Sequence, residues 1–208
     1  MNYCGIDFPI EDGKRIAMKL SGGADSAIVL YSICKALEDM GKKNEKIVVF
    51  TTVLKTKPYQ KYYTSQIIDW LEERFSVTFE QIANYAEGLD DYVPQQTVLR
   101  NQHEDKFDVI FAGVNKIPPS KVVSKFKDPG PNDNRSELHF KRVNNNSKVF
   151  CLPLFQSDKS KVAELYDFHD VRKTLLPLTR SCEGYGDLQK PCMKCWWCEE
   201  KHWAFGEY

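Results

Sequence analysis

The hydrophobic residues of this chain fall into two alternating kinds of segment, short continuous apolar runs and longer stretches with helical spacing. The run over 47–50 is apolar at every position, as in a strand that is buried on both faces of a parallel sheet. By contrast, Ile67, Leu71 and Phe75 recur at the interval of an α-helix. The two patterns predict strands at 16–20, 46–54, 76–82, 108–112 and 149–154, and helices at 25–40, 59–75, 92–104 and 157–168.

This order of elements predicts the fold class. Strands that alternate with helices favour an α/β fold whose five strands form a parallel sheet joined by right-handed crossovers. The helix at 25–40 begins with an apolar run over 27–31, so we expect it to lie buried against the sheet. In such folds ligands bind beyond the carboxyl ends of the strands, which directs attention to the loops that follow each strand.

The loop after the first predicted strand has the composition of a phosphate-binding turn. Two adjacent glycines allow close approach of the backbone to a phosphate, and the amides at the start of the following helix face an anion. The spacing is neither the Walker nor the dinucleotide-binding pattern. We call residues 21–26 the phosphate loop, and its members are Ser21, Gly22, Gly23, Ala24, Asp25 and Ser26.

Asp25 allows two interpretations. As the nearest carboxylate to bound phosphates it could hold the Mg²⁺ that bridges them. As an acidic residue at a helix start it could instead cap the helix. The sequence leaves both open.

The cysteines indicate a metal site near the end of the chain. Of seven cysteines, four lie within 17 residues, as two overlapping Cys-x-x-Cys steps and one further thiol. Four thiolates with this spacing suit tetrahedral Zn²⁺, and a closed shell of sulfur makes the site structural rather than catalytic. A redox-active Cys-x-x-Cys pair is the alternative. The predicted ligands are Cys182, Cys192, Cys195 and Cys198.

Charge and composition exclude some classes of protein. The chain has 208 residues with 29 basic and 29 acidic side chains, so no overall field attracts nucleic acid or a membrane. No apolar run approaches the roughly 20 residues of a membrane span, and the first residues do not resemble a secretory signal. We therefore expect a cytoplasmic protein that does not associate with membranes.

The alternation of strands and helices breaks down between residues 118 and 148. This segment is rich in proline, asparagine and basic residues, and either a lid over the ligand site or a surface insertion would account for it. We expect a nucleotide-binding domain over 1–178, which includes this segment, and a zinc-binding segment over 179–208.

Taken in order, these motifs resemble a known group of enzymes. The loop resembles that of the N-type ATP pyrophosphatases, also called PP-loop enzymes. The motif Leu178-Thr179-Arg180-Ser181-Cys182 and the final cysteines resemble the 7-cyano-7-deazaguanine synthase family. The resemblance extends over nearly the whole chain. It implies a sheet of the adenine nucleotide alpha hydrolase-like type with a C-terminal zinc-binding knuckle.

The resemblance also implies an activity. That family uses ATP and Mg²⁺ to adenylate 7-carboxy-7-deazaguanine, and ammonia then yields the nitrile precursor of queuosine-type bases, with pyrophosphate and AMP released. By the same resemblance Lys159 lies beside the phosphates, adenine lies against Thr52 and Val53, Zn²⁺ is structural, and the chain forms a homodimer. Catalytic roles fall to Asp25 and Lys159.

The resemblance is weakest where the family binds its substrate. An arginine and an asparagine expected near Val93-Pro94 are absent, and Arg100 and Asn101 are candidate replacements about one helical turn away. Lys116 lies where the family's segment for the deazaguanine pocket is not retained. A different acceptor, such as tRNA or another metabolite, therefore stays open, although a nucleic acid is not favoured by the charge. A zinc-binding module without catalytic activity is a further alternative.

Overall fold

A computed structural model of the chain describes residues 1–127, 150–182 and 190–208. Within these ranges five strands form one parallel sheet: β3 (Ile16–Lys19), β4 (Glu45–Leu54), β5 (Val77–Ala86), β6 (Val109–Ala112) and β7 (Phe150–Cys151). Their spatial order is β5-β4-β3-β6-β7, and all four neighbouring pairs are parallel. The first strand in the chain to enter the sheet, β3, is therefore central, and the phosphate loop follows it directly.

The helices connect and cover these strands. They are α1 (Ala24–Asp39), α2 (Tyr59–Arg74), α3 (Leu89–Asn101), the short α4 (Ser120–Val123), α5 (Lys159–Phe168) and α6 (Trp196–Phe205). Two 3-10 turns cover Glu104–Lys106 and Leu176–Leu178, and a small antiparallel pair, β1 (Asn2–Tyr3) and β2 (Ile6–Asp7), precedes the sheet. None of the helices in the described ranges combines the length and the apolarity needed to cross a bilayer.

The two faces of the sheet are covered unequally. Alternate residues of β3 and β4, such as Met18 and Val49, belong to a large buried cluster with residues of α1, α2, α5 and α6. The opposite face carries a small cluster in which Ala17, Phe50 and Ile110 meet Leu99 of α3. Because side chains alternate along a strand, residues that follow each other in β3 contribute to different layers.

The predicted α/β fold and its five-stranded parallel sheet are confirmed. As expected from its apolar start, α1 is buried along most of its length, with 12 of its 16 residues buried. Strand β5 continues to Ala86, four residues beyond the predicted end, and α3 begins at Leu89 rather than at 92. Most of the predicted lid or insertion over 118–148, together with Val149, lies outside the described residues.

Candidate functional site

The phosphate loop joins the carboxyl end of β3 to the amino end of α1. Gly22 has φ +81°, in the left-handed region that favours glycine, and a Cβ there would lie 3.1 Å from the Cβ of Tyr63. Gly23 is the N-cap of α1, with an extended backbone and no side-chain cap. Because the N-cap residue has no side chain, it does not cap the first amides of the helix. These amides can instead donate to an anion.

Two serines brace the loop from inside. The Ser26 hydroxyl is buried and donates to the carbonyl of Gly23 at 3.1 Å, while accepting from the amide of Ser21 at 3.2 Å. The Ser21 hydroxyl lies 3.1 Å from that of Ser26. Ser26 therefore holds the turn, whereas Ser21 is exposed at its rim.

A third glycine allows the end of β6 to approach the loop. A Cβ on Gly113 would lie 2.6 Å from the backbone nitrogen of Ser26 and 2.7 Å from the carbonyl carbon of Asp25. These are backbone atoms at the start of α1, so a larger residue at 113 would displace the helix end. The site thus depends on close packing of two strand ends as well as on the loop sequence.

Asp25 forms an ion pair rather than a helix cap. Its carboxylate lies 2.5 Å from the Nζ of Lys159, and it also accepts from Asn115 at 3.4 Å. Lys159 begins α5 and is 1 % exposed. The ammonium of Lys159 is 3.4 Å from a second carboxylate, that of Glu200 in α6, which is also 1 % exposed. One buried lysine is thus shared by two acidic groups.

A cavity of about 150 Å³ opens in front of this ion pair. Basic residues from three separate elements reach it: Lys57 after β4, Lys159, and Arg180 before the cysteines. Burial lowers the pKa of Lys57, and the guanidinium of Arg180 lies 4.6 Å from the ring centre of Tyr59. We call this space the anion cavity. The residues that line it are Ser21, Gly23, Asp25, Lys57, Tyr59, Gln60, Tyr92, Lys159, Arg180, Ser181, Cys182 and Trp197.

The backbone fixes the C-terminal segment against the phosphate loop. The amide of Arg180 donates to the carbonyl of Gly22 at 2.8 Å, and the hydroxyl of Tyr59 donates to the carbonyl of Cys182 at 2.9 Å. The Leu178–Cys182 motif is therefore part of the wall of the anion cavity. The sequence predicted a role for this motif through its resemblance to the synthase family, but it did not indicate that Arg180 would line the cavity.

A second, smaller opening adjoins the anion cavity at Ser21 and Tyr92, between β3, β4 and α3. It is lined by Lys19, Leu20, Ser21, Phe50, Thr52, Tyr92, Gln96 and Leu99, and we call it the Lys19 crevice. Thr52 was predicted to contact adenine, and its hydroxyl donates to Asn84 at 2.7 Å. Its neighbour Val53 is 2 % exposed and packs in the interior.

The residues predicted to bind the acceptor differ in their surroundings. The guanidinium of Arg100 donates to Asn101 at 2.7 Å and forms an ion pair with Glu104 at 3.4 Å. It lies close enough to Lys19 to contribute to the lowered pKa of that lysine. Lys116 and Asn101 are both exposed. The described structure thus brings only Arg100 of this group toward a candidate binding opening.

Three functional candidates were missed by sequence reasoning. Glu200 and Lys57 carry no recognisable local motif, because a charged residue in a helix or loop normally lies in solvent. Lys19 did carry a signal, since it is the one charged residue within the apolar run over 16–20. A charge in a strand that is buried on both faces should have been identified as a functional candidate.

The four predicted ligands of the metal site come together. The sulfur atoms of Cys182, Cys192, Cys195 and Cys198 all lie within 4.8 Å of one another. A hydrogen bond with the Cys182 thiol, together with burial, raises the pKa of Cys195 to about 11. Met193 has φ +56°, which bends the chain between two of the ligands. The donor set and its spacing therefore fit a metal ion, and α6 begins inside the site.

Comparisons with known proteins relate this fold to others. Neither protein-family models nor curated proteins match the sequence. Among solved structures, the fold is similar to the U34-tRNA thiolase NcsA from Methanococcus maripaludis, described with its 4Fe-4S cluster, at a TM-score of 0.50 and 15% identity. The match covers 78% of this chain and 59% of that one, so this chain spans about three fifths of its length.

A second similar structure is the NAD+ synthetase from Burkholderia pseudomallei. It has a TM-score of 0.44 and 14% identity, and the match covers 94% of this chain and 75% of that one. At such low sequence identity, structural similarity shows only that two proteins share a fold. Of these two comparisons, the one with the thiolase supports the fold of this chain. The chain therefore has an α/β fold similar to that of the thiolase, with a five-stranded parallel sheet and a C-terminal group of four cysteines that could bind metal.

Proposed function

We propose that this protein is an ATP-dependent adenylating enzyme that transfers AMP to an acceptor and releases pyrophosphate. The observation that carries the proposal is the anion cavity, where a glycine loop at a helix start meets Lys57, Lys159 and Arg180. Three cations and a helix N-terminus around one opening suit a ligand with several negative charges. The triphosphate of ATP is such a ligand.

The residues of the cavity suit the departure of pyrophosphate. When the acceptor attacks the α-phosphorus, negative charge accumulates on the leaving oxygen. Lys159 and Arg180, with the amides that follow Gly23, are placed to stabilise that charge. Their side chains are buried, so little rearrangement accompanies the reaction. Catalysis would rest on positioning and charge rather than on a covalent intermediate.

The carboxylate of Asp25 suits the Mg²⁺ that normally accompanies ATP. Asp25 is partly exposed to the cavity, with 19 % of its side chain accessible, whereas its partner Lys159 is enclosed. Mg²⁺ prefers one or two carboxylates together with phosphate oxygens, and it neutralises charge on the phosphates. If Asp25 turned toward such an ion, Glu200 would still balance Lys159.

The substitution Gly23→Val tests this proposal. A side chain at 23 would stand beside the hydroxyls of Ser21 and Ser181, 3.5 and 3.7 Å from a Cβ, and would fill the mouth of the loop. The matched control is Gly88→Val, because Gly88 is also an N-cap glycine after a parallel strand and has open space around it. We expect at least a tenfold loss of ATP affinity in the first variant only. Equal ATP affinity in both variants would contradict the proposal.

For the acceptor, we propose 7-carboxy-7-deazaguanine, with ammonia completing the conversion to the nitrile. The order of the loop, Lys159, the Leu178–Cys182 motif and the cysteines supports this choice through its resemblance to the synthase family. Pyrophosphate release that depends on ATP, Mg²⁺, ammonium and this acid would support it. If the protein binds ATP but does not turn over this acid, this acceptor is excluded and the proposal of an adenylating function still stands.

For the cysteines, we propose a single structural Zn²⁺. Bonds of about 2.3 Å from one ion to four sulfurs at tetrahedral angles place the sulfurs about 3.8 Å apart. The four sulfurs here lie within 4.8 Å of one another, which suits a single ion. A four-iron cluster, as named for the thiolase, is larger and separates its ligands further. Elemental analysis should give one zinc per chain. A brown protein that contains iron and inorganic sulfide would contradict the zinc assignment.

A further inference from the structure

A lysine of the last helix is enclosed beside the cysteines. Lys201 follows Cys198 by one turn of α6, so the two side chains lie on the same face of the helix. Lys201 is 8 % exposed. Among the described residues no carboxylate forms an ion pair with its ammonium, and the carboxylate of Glu207 pairs instead with Arg172 at 3.5 Å. An enclosed ammonium costs free energy unless negative charge lies nearby.

The lysine borders a small cavity that it shares with two of the predicted metal ligands. The cavity has a volume of about 120 Å³, and its lining includes Arg180, Cys182, Cys198 and Lys201. We call this space the Lys201 pocket. Cysteines bind metal as thiolates, because the ligand must lose its proton. A metal bound to the four cysteines would therefore place negative charge beside Lys201.

A metal site with four thiolates needs more positive charge than its ion supplies. Four thiolates and one divalent ion leave a net charge of about −2. Two cations near Cys182, namely Lys57 and Arg180, line the anion cavity and are placed to bind phosphates. Lys201 lies outside the lining of that cavity, although it borders Cys182 and Cys198 in the Lys201 pocket. Of these three cations, Lys201 is therefore the one whose position suits the thiolates alone.

We propose that Lys201 balances thiolate charge at the metal site and thereby strengthens metal binding. This inference rests on the Zn²⁺ site proposed above, and it adds a residue that supports the site without being a ligand. An ammonium beside sulfur offsets the repulsion between thiolates that the metal brings together. Because Cys182 also borders the anion cavity, the same ammonium limits repulsion between the thiolates and bound phosphates. Lys201 thus allows a thiolate site and a phosphate site to lie side by side.

The Zn²⁺ affinity of the full chain tests this inference, measured by competition with a chromophoric chelator. We expect the neutral variants Lys201→Met and Lys201→Gln to bind Zn²⁺ about tenfold or more weakly, as is typical when a residue that supports metal ligands is lost. Lys201→Arg keeps the charge and should stay within about threefold of wild type. The matched control is Lys194→Met, because Lys194 is exposed and lies between the ligands Cys192 and Cys195. Solvent screens its charge, so this control should stay within about twofold of wild type.

Circular dichroism shows whether each variant is folded, and three results would overturn the inference. Unchanged Zn²⁺ affinity in the folded neutral variants would mean that the thiolates need no cation at position 201. An equal loss in Lys201→Arg would mean that shape matters rather than charge. An equal loss in Lys194→Met would mean that any positive charge in this segment has the same effect. If the wild type bound no Zn²⁺, the proposed metal site would fail and the inference with it, whereas ATP binding, measured separately, tests the adenylating function.

Discussion

A buried lysine and a partly buried lysine lie near the same edge of the sheet, and their surroundings are opposite. Lys159 is shared by Asp25 and Glu200, at 2.5 and 3.4 Å. Among the described residues, Lys19 has an aromatic ring and the distant Arg100 near its ammonium, and no carboxylate pairs with it. The two carboxylates beside Lys159 already offset the free-energy cost of burying its charge, so this lysine can hold phosphates as it stands. Lys19 would gain a counter-ion only on binding a ligand. The difference separates a cation whose charge the fold balances from one whose charge the described residues leave unbalanced.

The largest expected effect is that of Lys159→Met. This substitution leaves Asp25 and Glu200 close together with no cation between them, and loss of one partner in a buried ion pair typically costs about 3–5 kcal/mol. We expect a loss of this size in the free energy of unfolding, together with a large but still measurable loss of ATP affinity. Urea denaturation and calorimetry measure the two quantities. A variant as stable as wild type would show that the balance at Lys159 has no energetic importance.

Glu200→Gln should have a smaller effect that reaches the ATP site through Lys159. Glu200 lies in α6, two residues after Cys198 of the four-cysteine group, so this group positions it. When Lys159 is present, we expect Glu200→Gln to lower ATP affinity by about three- to tenfold. In the Lys159→Met variant, the same substitution should cause no further loss. The neighbouring substitution Glu199→Gln, on the side of α6 that accepts from the amide of Lys127, is the control. Equal losses in both backgrounds would mean that Glu200 acts independently of Lys159.

Lys19→Met should act in the opposite direction from Lys159→Met. Methionine fills a similar volume without a charge, so the cost of burying the ammonium disappears. We expect the free energy of unfolding to rise by about 1–3 kcal/mol, in keeping with about 1.4 kcal/mol for each unit of pKa shift. Urea denaturation at neutral pH measures the change. If this variant proves less stable than wild type, the contrast between the two lysines is wrong.

The smallest expected effect is on the pH dependence of stability. Below pH 8, Lys19 is charged in the folded and in the unfolded chain, and the folded chain bears the cost of burial. Between its folded pKa of about 8 and the usual 10.5, the unfolded chain holds more protons, so stability rises with pH. The wild type should show this rise relative to Lys19→Met in denaturation curves from pH 7 to 10. Parallel curves for the two proteins would contradict the lowered pKa.

Local features of the site could be predicted because they depend on neighbours in the chain. The adjacent glycines at 22 and 23 and the apolar runs follow rules of backbone geometry and periodicity, and the structure has a turn and a sheet at the places that they predicted. The spacing of Cys192, Cys195 and Cys198 predicted that their sulfurs would meet, as they do. These signals need only a few residues on either side.

The pairing of charges could not be predicted in the same way. Asp25 and Lys159 are 134 residues apart, and nothing near Glu200 indicates that α6 would place it beside Lys159. For the acceptor, the sequence pointed to Arg100, Asn101 and Lys116. The described structure exposes two of these and pairs the third with Glu104. Burial and contact depend on how elements pack, and packing is a property of the whole fold.

The sequence by itself determined the order of strands and helices, the glycine turn after β3 and the grouping of four cysteines, because each is encoded in local spacing and backbone preference. Only the tertiary structure decided which charges would be enclosed and which would be balanced. Lys159 and Lys19 are the same residue type, and each lies in a regular element. They differ because α6 brings a carboxylate to one, while α3 and the sheet enclose the other.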